Sequence, residues 1–378
     1  MRLSLLERLL FVWLIIVGWA FEGIHAEAVE YDLRGQASGW HLEGRDSGDW
    51  YYNQGLRYIP QFTLAQSLAE NHFLDLEISL NGFISASSSD HADDSDVELY
   101  RLKIRFATAQ TETRVGLQKI NFGPAQLLRP LRWFDRLDPR DPLNLTDGVY
   151  GLRFKYDALN NASLWFWGLY GNDETKGFEL LPTVEGKPEF GGRLQYPFLN
   201  GELAFAFHTR KVLAPPMDSG DFRENRLALD GRWDIEIGLW FESVLQRQRS
   251  DTLPFEWTEM MTLGMDYTLG IGNGLHVLGE HMAIVSSEGP FGWEDDRQVS
   301  AYSMNYPLGY LDNLSAMGFY SWDEKEYSQY LCWQRTWDNW ILKLSLFHYP
   351  TWDDVELPYR GDILSSGYGG EVLVVFNH

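Results

Sequence analysis

The segment 123–148 concentrates side chains of both charges, and it reads GPAQLLRPLRWFDRLDPRDPLNLTDG. The residues that could act on a solute are Arg129, Arg132, Trp133, Phe134, Asp135, Arg136, Asp138, Arg140 and Asp141. Pro130, Pro139 and Pro142 restrict the backbone between them. At a narrow point of a water-filled passage, such charges would act as a filter on what passes. The alternative is an external loop held by its own Arg–Asp pairs.

Two further sets of charged residues alternate with apolar ones along the chain. The basic set lies in the first half and comprises Arg101, Lys103, Arg105, Arg114, Arg153, Lys155 and Arg193. The acidic set lies in the second half and comprises Glu236, Glu242, Asp266 and Glu280. A basic wall facing an acidic wall would set a transverse field, which we expect to order water and disfavour apolar solutes. The alternative is that these side chains are polar only because they face water.

The elements that would position these residues show a period of two. Between residues 100 and 106 one face is apolar (Tyr100, Leu102, Ile104, Phe106) and the other is basic. Alternate side chains of a strand point to opposite faces, so this segment is amphipathic as a strand and not as a helix. Similar runs of about ten residues, the length of a tilted membrane strand, recur along the chain. They predict about 18 strands, with 16 as the alternative.

The connections between these runs alternate in length. The short ones fall at 69–72, 109–111, 159–161, 199–201, 230–234, 270–274, 310–313 and 336–339. The long ones fall at 87–96, 123–148, 171–188, 211–222, 249–256, 286–297 and 350–366, and only the short 323–325 breaks the alternation. Short periplasmic turns and long extracellular loops are typical of a transmembrane antiparallel β-barrel in an outer membrane. We therefore predict an all-β chain that forms a single such barrel.

The ends and the composition limit the alternatives. Residues 1–28 have the pattern of a cleaved export signal, with a membrane-anchoring helix as the alternative, and residues 29–378 would form the barrel. No later apolar run is long enough for a membrane-spanning helix. Aromatic residues make up 15% of the chain, as suits a barrel between lipid and water. A formal net charge of −23 argues against a nucleic-acid partner.

Two stretches resemble a known family. The sequences VGLQKINFG at 115–123 and WFDRLDPRDP at 133–142 resemble a segment of porin-like outer-membrane families, including the alginate-export type. The place of 123–148 as the third outer loop also resembles general porins, in which that loop folds inward. The resemblance implies a Gram-negative outer-membrane channel that passes small hydrophilic solutes by diffusion. It also implies outer-membrane lipid and lipopolysaccharide as partners, in a monomer or a homotrimer.

Other functions stay open at this point. One alternative is a substrate-specific channel, for example for anionic sugars, and another class is a barrel enzyme or an adhesin that acts through its outer loops. We expect no catalytic residues and no cofactor, because no histidine lies in a recognisable local pattern with a serine. We expect no metal site either, since the acidic stretch 90–96 lacks the glycine and the distal glutamate of a calcium loop.

Overall fold

A computed structural model describes residues 29–88, 94–135, 143, 145–214, 220–250, 253–350 and 367–378. These residues form 18 strands in one antiparallel sheet, and the sheet closes because β1 pairs with both β2 and β18. The predicted all-β barrel and its strand count are confirmed. No helix in the described ranges is long and apolar enough to cross a membrane. The predicted export signal 1–28 lies outside the described residues, as does most of the acidic stretch 90–96.

The strands follow one another around the ring in chain order. Their bounds are β1 Glu30–Asp46, β2 Asp49–Ala69, β3 His72–Ser87, β4 Asp94–Ala107, β5 Thr111–Gln118, β6 Val149–Asp157, β7 Ser163–Leu169, β8 Glu189–Phe198, β9 Gly201–Leu213, β10 Asp221–Asp234, β11 Gly238–Gln248, β12 Trp257–Leu269, β13 Leu275–Ser287, β14 Asp295–Pro307, β15 Asp312–Ser321, β16 Tyr327–Trp337, β17 Trp340–Tyr349 and β18 Gly367–Asn377.

The alternation of side chains gives the ring an apolar outside and a more polar inside. On β12, for example, Met261, Leu263 and Met265 are exposed on the outer face, whereas Met260 and Thr262 are buried on the inner face. Because a strand places alternate side chains on opposite faces, this division holds along the whole strand. The outer rows are therefore suited to lipid and the inner rows line the lumen.

The connections alternate in length largely as predicted. The short turns at one end carry Asn71, Asn161, Asn200 and Asp338 at positive φ, a conformation that asparagine and aspartate tolerate better than most residues. At the opposite end of the barrel, the connection predicted to be short at 323–325 is short, and a second connection there is also short. Strands β1 and β2 are joined by residues 47–48 alone. The two longest connections at this end, 119–148 and 170–188, adjoin the three shortest strands, β5, β6 and β7.

A β-bulge in β4 corrects one predicted pattern. The pairing of β3 with β4 shifts between Ser79, which faces Arg101, and Leu80, which faces Leu99, so Tyr100 is an extra residue. The guanidinium carbon of Arg101 lies 3.9 Å from the centre of the Tyr100 ring. The Tyr100 hydroxyl accepts a hydrogen bond from the Thr146 amide at 3.4 Å. Tyr100 therefore lies with the loop and does not continue the outward apolar row.

Candidate channel constriction

The third outer loop enters the lumen directly after β5. That strand has only eight residues and ends at Gln118, and the chain returns to the wall at Val149. Between these points Ile120, Leu128 and Leu131 are at most 2% exposed, which an external loop would not achieve. The structure thus places residues 119–135, the described first part of this loop, inside the ring.

One carboxylate on the far wall binds three consecutive amides of the loop. The Glu280 side chain on β13 accepts hydrogen bonds from the amides of Gln126 at 2.7 Å, Leu127 at 2.9 Å and Leu128 at 2.6 Å. Its Oε1 atom also accepts the indole N–H of Trp240 at 2.9 Å. Hydrogen bonds to an ionised carboxylate are stronger than those between neutral groups. Glu280 therefore fixes the first part of the loop through its backbone.

A second carboxylate binds the loop on either side of that point. The two oxygens of Glu242 on β11 accept the amides of Ala125 and Leu131, each at 2.9 Å. Glu242 is completely buried. Because β11 and β13 lie six and eight strands along the ring from β5, the loop crosses the lumen as a chord.

These contacts correct the predicted acidic wall. Glu242 and Glu280 do lie on inner strand faces, but they are buried beneath the loop and bound to its amides. Asp266 lies further along the wall, 3.7 Å from Nη2 of Arg232. Glu236 is exposed in the turn between β10 and β11, so it belongs to no strand face. The four residues therefore do not present a continuous acidic surface to the passage.

The predicted basic residues do lie on inner faces, but acidic neighbours neutralise most of their charge. Glu112 on β5 contacts Arg105 at 3.5 Å, Arg114 at 2.9 Å and also Arg153. Arg105 in addition binds Asp75 at 2.7 Å. The same holds for the pairs Lys103–Glu77 at 2.8 Å, Lys155–Asp157 at 2.8 Å and Arg193–Asp230 at 2.5 Å. The transverse field expected from two opposed walls is therefore replaced by local ion pairs.

Arg101 has a different task from the other basic residues. Its Nη2 atom donates to the carbonyl oxygen of Thr146 at 2.7 Å and to the Thr146 hydroxyl at 2.6 Å. Thr146 lies just before β6, where the third loop rejoins the wall. Arg101 therefore holds the return end of the loop, and it is 8% exposed.

The aromatic pair predicted in the loop packs against the wall between β5 and β9. Trp133 lies edge-on to Phe122 at a centroid distance of 5.4 Å, and Phe134 lies edge-on to His208 at 5.1 Å. Trp167 on β7 stacks on Phe122 at 5.6 Å. Trp133 and Phe134 are each 2% exposed. Their role is thus to bury the loop, and they do not line the passage.

A buried ionic network holds the fourth loop, 170–188, over the same region. Arg210 on β9 binds Glu224 on β10 at 2.7 Å and Glu179 of the loop at 3.0 Å. Arg226 also contacts Glu179 at 3.0 Å. A neighbouring group joins Lys176 of the loop to Glu189 at 2.9 Å, and Glu189 to His208 at 3.1 Å. The described parts of loops three and four also contact each other, with Arg132 over the Phe178 ring at 5.5 Å.

Neither this network nor the role of Glu112 was predicted from the sequence, although the sequence contains a signal for both. Glu189 and Arg193, His208 and Arg210, and Glu224, Arg226 and Asp230 follow the same two-residue period as the basic set. Charged residues at every second position of neighbouring strands predict mutual pairing inside a barrel. What was missing was the partner from the fourth loop, whose position depends on tertiary structure.

The opposite side of the third loop keeps exposed polar groups. Gln126 is exposed, and the side chains of Lys119 and Arg105 retain 40% and 38% of their surface. Arg129 is instead buried, donating to Asn121 at 2.6 Å, and Arg132 lies over the Phe178 ring at 5.5 Å. Of the predicted loop residues, Arg136, Asp138, Arg140 and Asp141 lie outside the described residues.

Asp135 is a titratable residue of the third loop whose charge depends on its burial. Its side chain is 2% exposed, and Oδ2 lies 3.6 Å from Nζ of Lys119. Burial raises the pKa of Asp135 above the ordinary value of an aspartate, with Lys119 and Arg132 opposing the rise. The protonated form thus adds stability below the ordinary pKa, and this stability is lost as the pH rises through the raised pKa.

Acidification is expected to shift ion selectivity towards anions. Protonation of Asp135 removes the negative charge of this ion pair, so the positive charge of Lys119 is no longer balanced by Asp135. Asp135→Asn should show that shifted selectivity already at pH 7 and lose the pH dependence. The measurement is the reversal potential in a salt gradient between pH 7 and pH 4. Asp173→Asn, at an exposed site in loop four, should keep the wild-type pH dependence. An unchanged pH profile in Asp135→Asn would contradict this assignment.

Several inner aromatic rings lie flat across a glycine of the next strand. A Cβ at Gly264 would overlap the Trp240 indole, and one at Gly55 would overlap Trp40. The same holds for Gly191 with Trp167. These glycines let the rings lie against the wall, so the lumen stays wider than the ring sizes suggest.

Gly264→Val is expected to displace Trp240 and break its bond to Glu280, with a cost of about 1–3 kcal/mol for the overpacking. The midpoint of urea unfolding in lipid vesicles measures this loss. Gly279→Val on β13 is the matched control, because a Cβ there meets open space. Equal midpoints for the two variants would show that the ring does not need the glycine.

The fold is that of Gram-negative outer-membrane porins. The chain is similar to Acinetobacter baumannii OccAB1, with a TM-score of 0.59, 7% identity and coverage of 93% of this chain and 96% of that one. It is similar to Pseudomonas aeruginosa OccD3 (OpdP), with a TM-score of 0.58, 10% identity and coverage of 94% and 93%. It is also similar to an anion-selective porin from Comamonas acidovorans, with a TM-score of 0.53, 11% identity and coverage of 93% of this chain and 100% of that one. No protein-family model and no curated protein matches the sequence.

Proposed function

We propose that the protein is an outer-membrane channel for the passive diffusion of small hydrophilic solutes. The observation that carries this proposal is a closed ring whose third loop is fixed across the lumen by Glu242 and Glu280. A loop held in this way would narrow the passage, and conduction requires that part of its width stays open. The exposed polar groups of Gln126, Lys119 and Arg105 then lie where a hydrated solute would pass.

The similar structures support this proposal through their fold. The resemblance extends over more than nine tenths of this chain and of each structure compared. One of them is described as an anion-selective porin.

A substrate-specific channel for anionic sugars is the second candidate. It is favoured by Lys119 and Arg105, which contact carboxylates but keep 40% and 38% of their side-chain surface exposed. The buried arginines Arg153 and Arg193 are paired with carboxylates and would not meet a solute. Selectivity for anions would therefore depend on these few exposed side chains.

Single-channel recording of the full chain in planar bilayers tests the proposal. Stepwise conductance is expected, with solute size limiting passage. Glucuronate should reduce the ionic current no more than glucose if diffusion is unselective, and considerably more if the channel prefers anionic sugars. Lys119→Gln should abolish such a preference. A folded barrel that stays silent under all voltages would contradict both candidates and leave an enzyme or an adhesin.

The setting of the channel is part of the proposal. We propose that residues 1–28 direct export and are removed, which the N-terminal mass of protein from the outer-membrane fraction would test. We propose further that the barrel works as a monomer or a homotrimer without enzymatic activity, in contact with lipid and lipopolysaccharide. Cross-linking in intact outer membranes distinguishes the two assembly states.

A further inference from the structure

A group of basic side chains lies on the outer face of β9, β10 and β11, near the ends that carry the longer loops. It consists of Lys211, Arg223 and Arg247 on the strands and of the exposed Arg249 directly after β11, and we call it the outer basic patch. Lys211 and Arg247 retain 42% and 43% of their side-chain surface. The patch stands out in a chain with a formal net charge of −23.

The patch continues the lipid-facing rows of these strands. On β9 the exposed Phe205 and Phe207 precede Lys211 at steps of two residues, so all three share the outer face. On β10 the exposed Leu229 and Leu227 lead in the same way to Arg223. Each row therefore changes from apolar to basic towards the loop end. The level just beyond an apolar band is that of the lipid headgroups.

The register brings like charges together across the strands. Lys211 lies directly opposite Arg223 in the pairing of β9 with β10. Glu224 pairs with Gln248 of β11, so Arg249 follows at the level of Arg223. Like charges directly opposite one another are destabilising unless an anion lies between them.

The neighbouring carboxylates compensate only part of this charge. Lys211 contacts Asp221 at 2.9 Å, and Arg247 contacts Glu256 at 2.7 Å. Within the described residues, two carboxylates thus contact the four cations of the patch. Arg247 also lies over the Trp257 ring at 5.0 Å, which directs its guanidinium along the outer wall.

We infer that the outer basic patch binds the phosphate groups of a phosphorylated glycolipid in the outer leaflet. Lysine and arginine bind phosphate through charge-assisted hydrogen bonds, and the fork of arginine can do so with two of them. The apolar rows below, Phe205 and Phe207 with Leu227 and Leu229, would contact the acyl chains of the same molecule. This inference requires the barrel to lie in a membrane, but it does not depend on conduction.

The test uses the full chain in phosphatidylcholine nanodiscs, with lipid A carrying both phosphates as the probe. Native mass spectrometry measures the retained lipid. The double variant Arg223→Gln with Arg247→Gln should bind roughly tenfold more weakly, because it loses two charged hydrogen-bond donors. Arg45→Gln is the matched control, since Arg45 is an outward cation near the loop end of β1 and lies over Trp50.

Three results would overturn the inference. They are unchanged binding in the double variant, an equal loss in Arg45→Gln, and equal binding of dephosphorylated lipid A by the wild type. Heat-dependent mobility in gels shows whether each variant has folded. If the double variant does not fold, the single variant Lys211→Gln replaces it, with a weaker but still selective loss expected. Channel conductance should remain at the wild-type level throughout, which separates this inference from the proposed function.

Discussion

Replacing Glu280 with alanine is expected to give the largest change in conductance of any single substitution in the lumen. Three consecutive loop amides and the Trp240 indole lose their acceptor, and a buried donor left without a partner costs about 1–3 kcal/mol. The remaining anchor, Glu242, holds only two amides. The loop should therefore leave its position across the lumen, and single-channel currents should become larger and noisier.

Conservative and matched variants separate this effect from a general disturbance of the wall. Glu280→Gln keeps one acceptor oxygen and should fall between alanine and wild type. Asp266→Asn on the neighbouring strand β12 changes a carboxylate that binds no loop amide in the described part of the chain. Its conductance should stay near the wild-type value. Wild-type currents in Glu280→Ala, together with slow hydrogen exchange at residues 126–128, would show that other contacts hold the loop.

Replacing Arg210 with methionine is expected to release the fourth loop and to destabilise the barrel by about 3–5 kcal/mol. The reason is that Glu179 and Glu224, both fully buried side chains, lose a shared cation. Limited proteolysis within 171–188 and the midpoint of urea unfolding measure the two consequences. Lys211→Met is the control. Lys211 follows Arg210 on β9 but points outward, so its replacement leaves the buried network intact.

A double variant tests whether uncompensated charge is the cause. In Arg210→Met, Glu179 and Glu224 share Arg226 as their cation, and Glu179 also keeps Lys176. Removing Glu179 as well, in Arg210→Met with Glu179→Met, should recover part of the lost stability, since Glu224 then has Arg226 as an unshared cation. If the destabilisation of the double variant equals the sum of those caused by Arg210→Met and by Glu179→Met alone, the two residues contribute by packing and not through their charges. Protection of loop four in Arg210→Met would equally contradict its anchoring by this network.

The barrel could be predicted from the sequence because its determinants are local. Alternation in segments such as 257–269 follows from one face touching lipid and the other facing the lumen. Turn residues such as Asn161 and Asn200 mark the short connections directly. The bulge at Tyr100 escaped prediction because it depends on the register with β3, and nothing in the alternation of 100–106 shows it.

The candidate site was predictable in its members but not in their roles. Charge, proline and aromatic content distinguished 123–148 as the candidate inward loop, and in its described part Trp133 and Phe134 are buried. The roles of Glu242 and Glu280 depend on distances between strands far apart in the sequence. A carboxylate on an inner face can hold a cation, face water or bind amides, and only the tertiary structure distinguishes these three.

Because the third loop is anchored through its backbone amides, its position does not depend on which side chains it exposes to the lumen. Glu280 holds Gln126 by the main chain, and the side chain of Gln126 is exposed. Residues of different charge or size could therefore replace Gln126 without moving the loop. Protein engineers would gain a position at which cysteine labels, ligands or new charges could be introduced while the framework of the pore is retained.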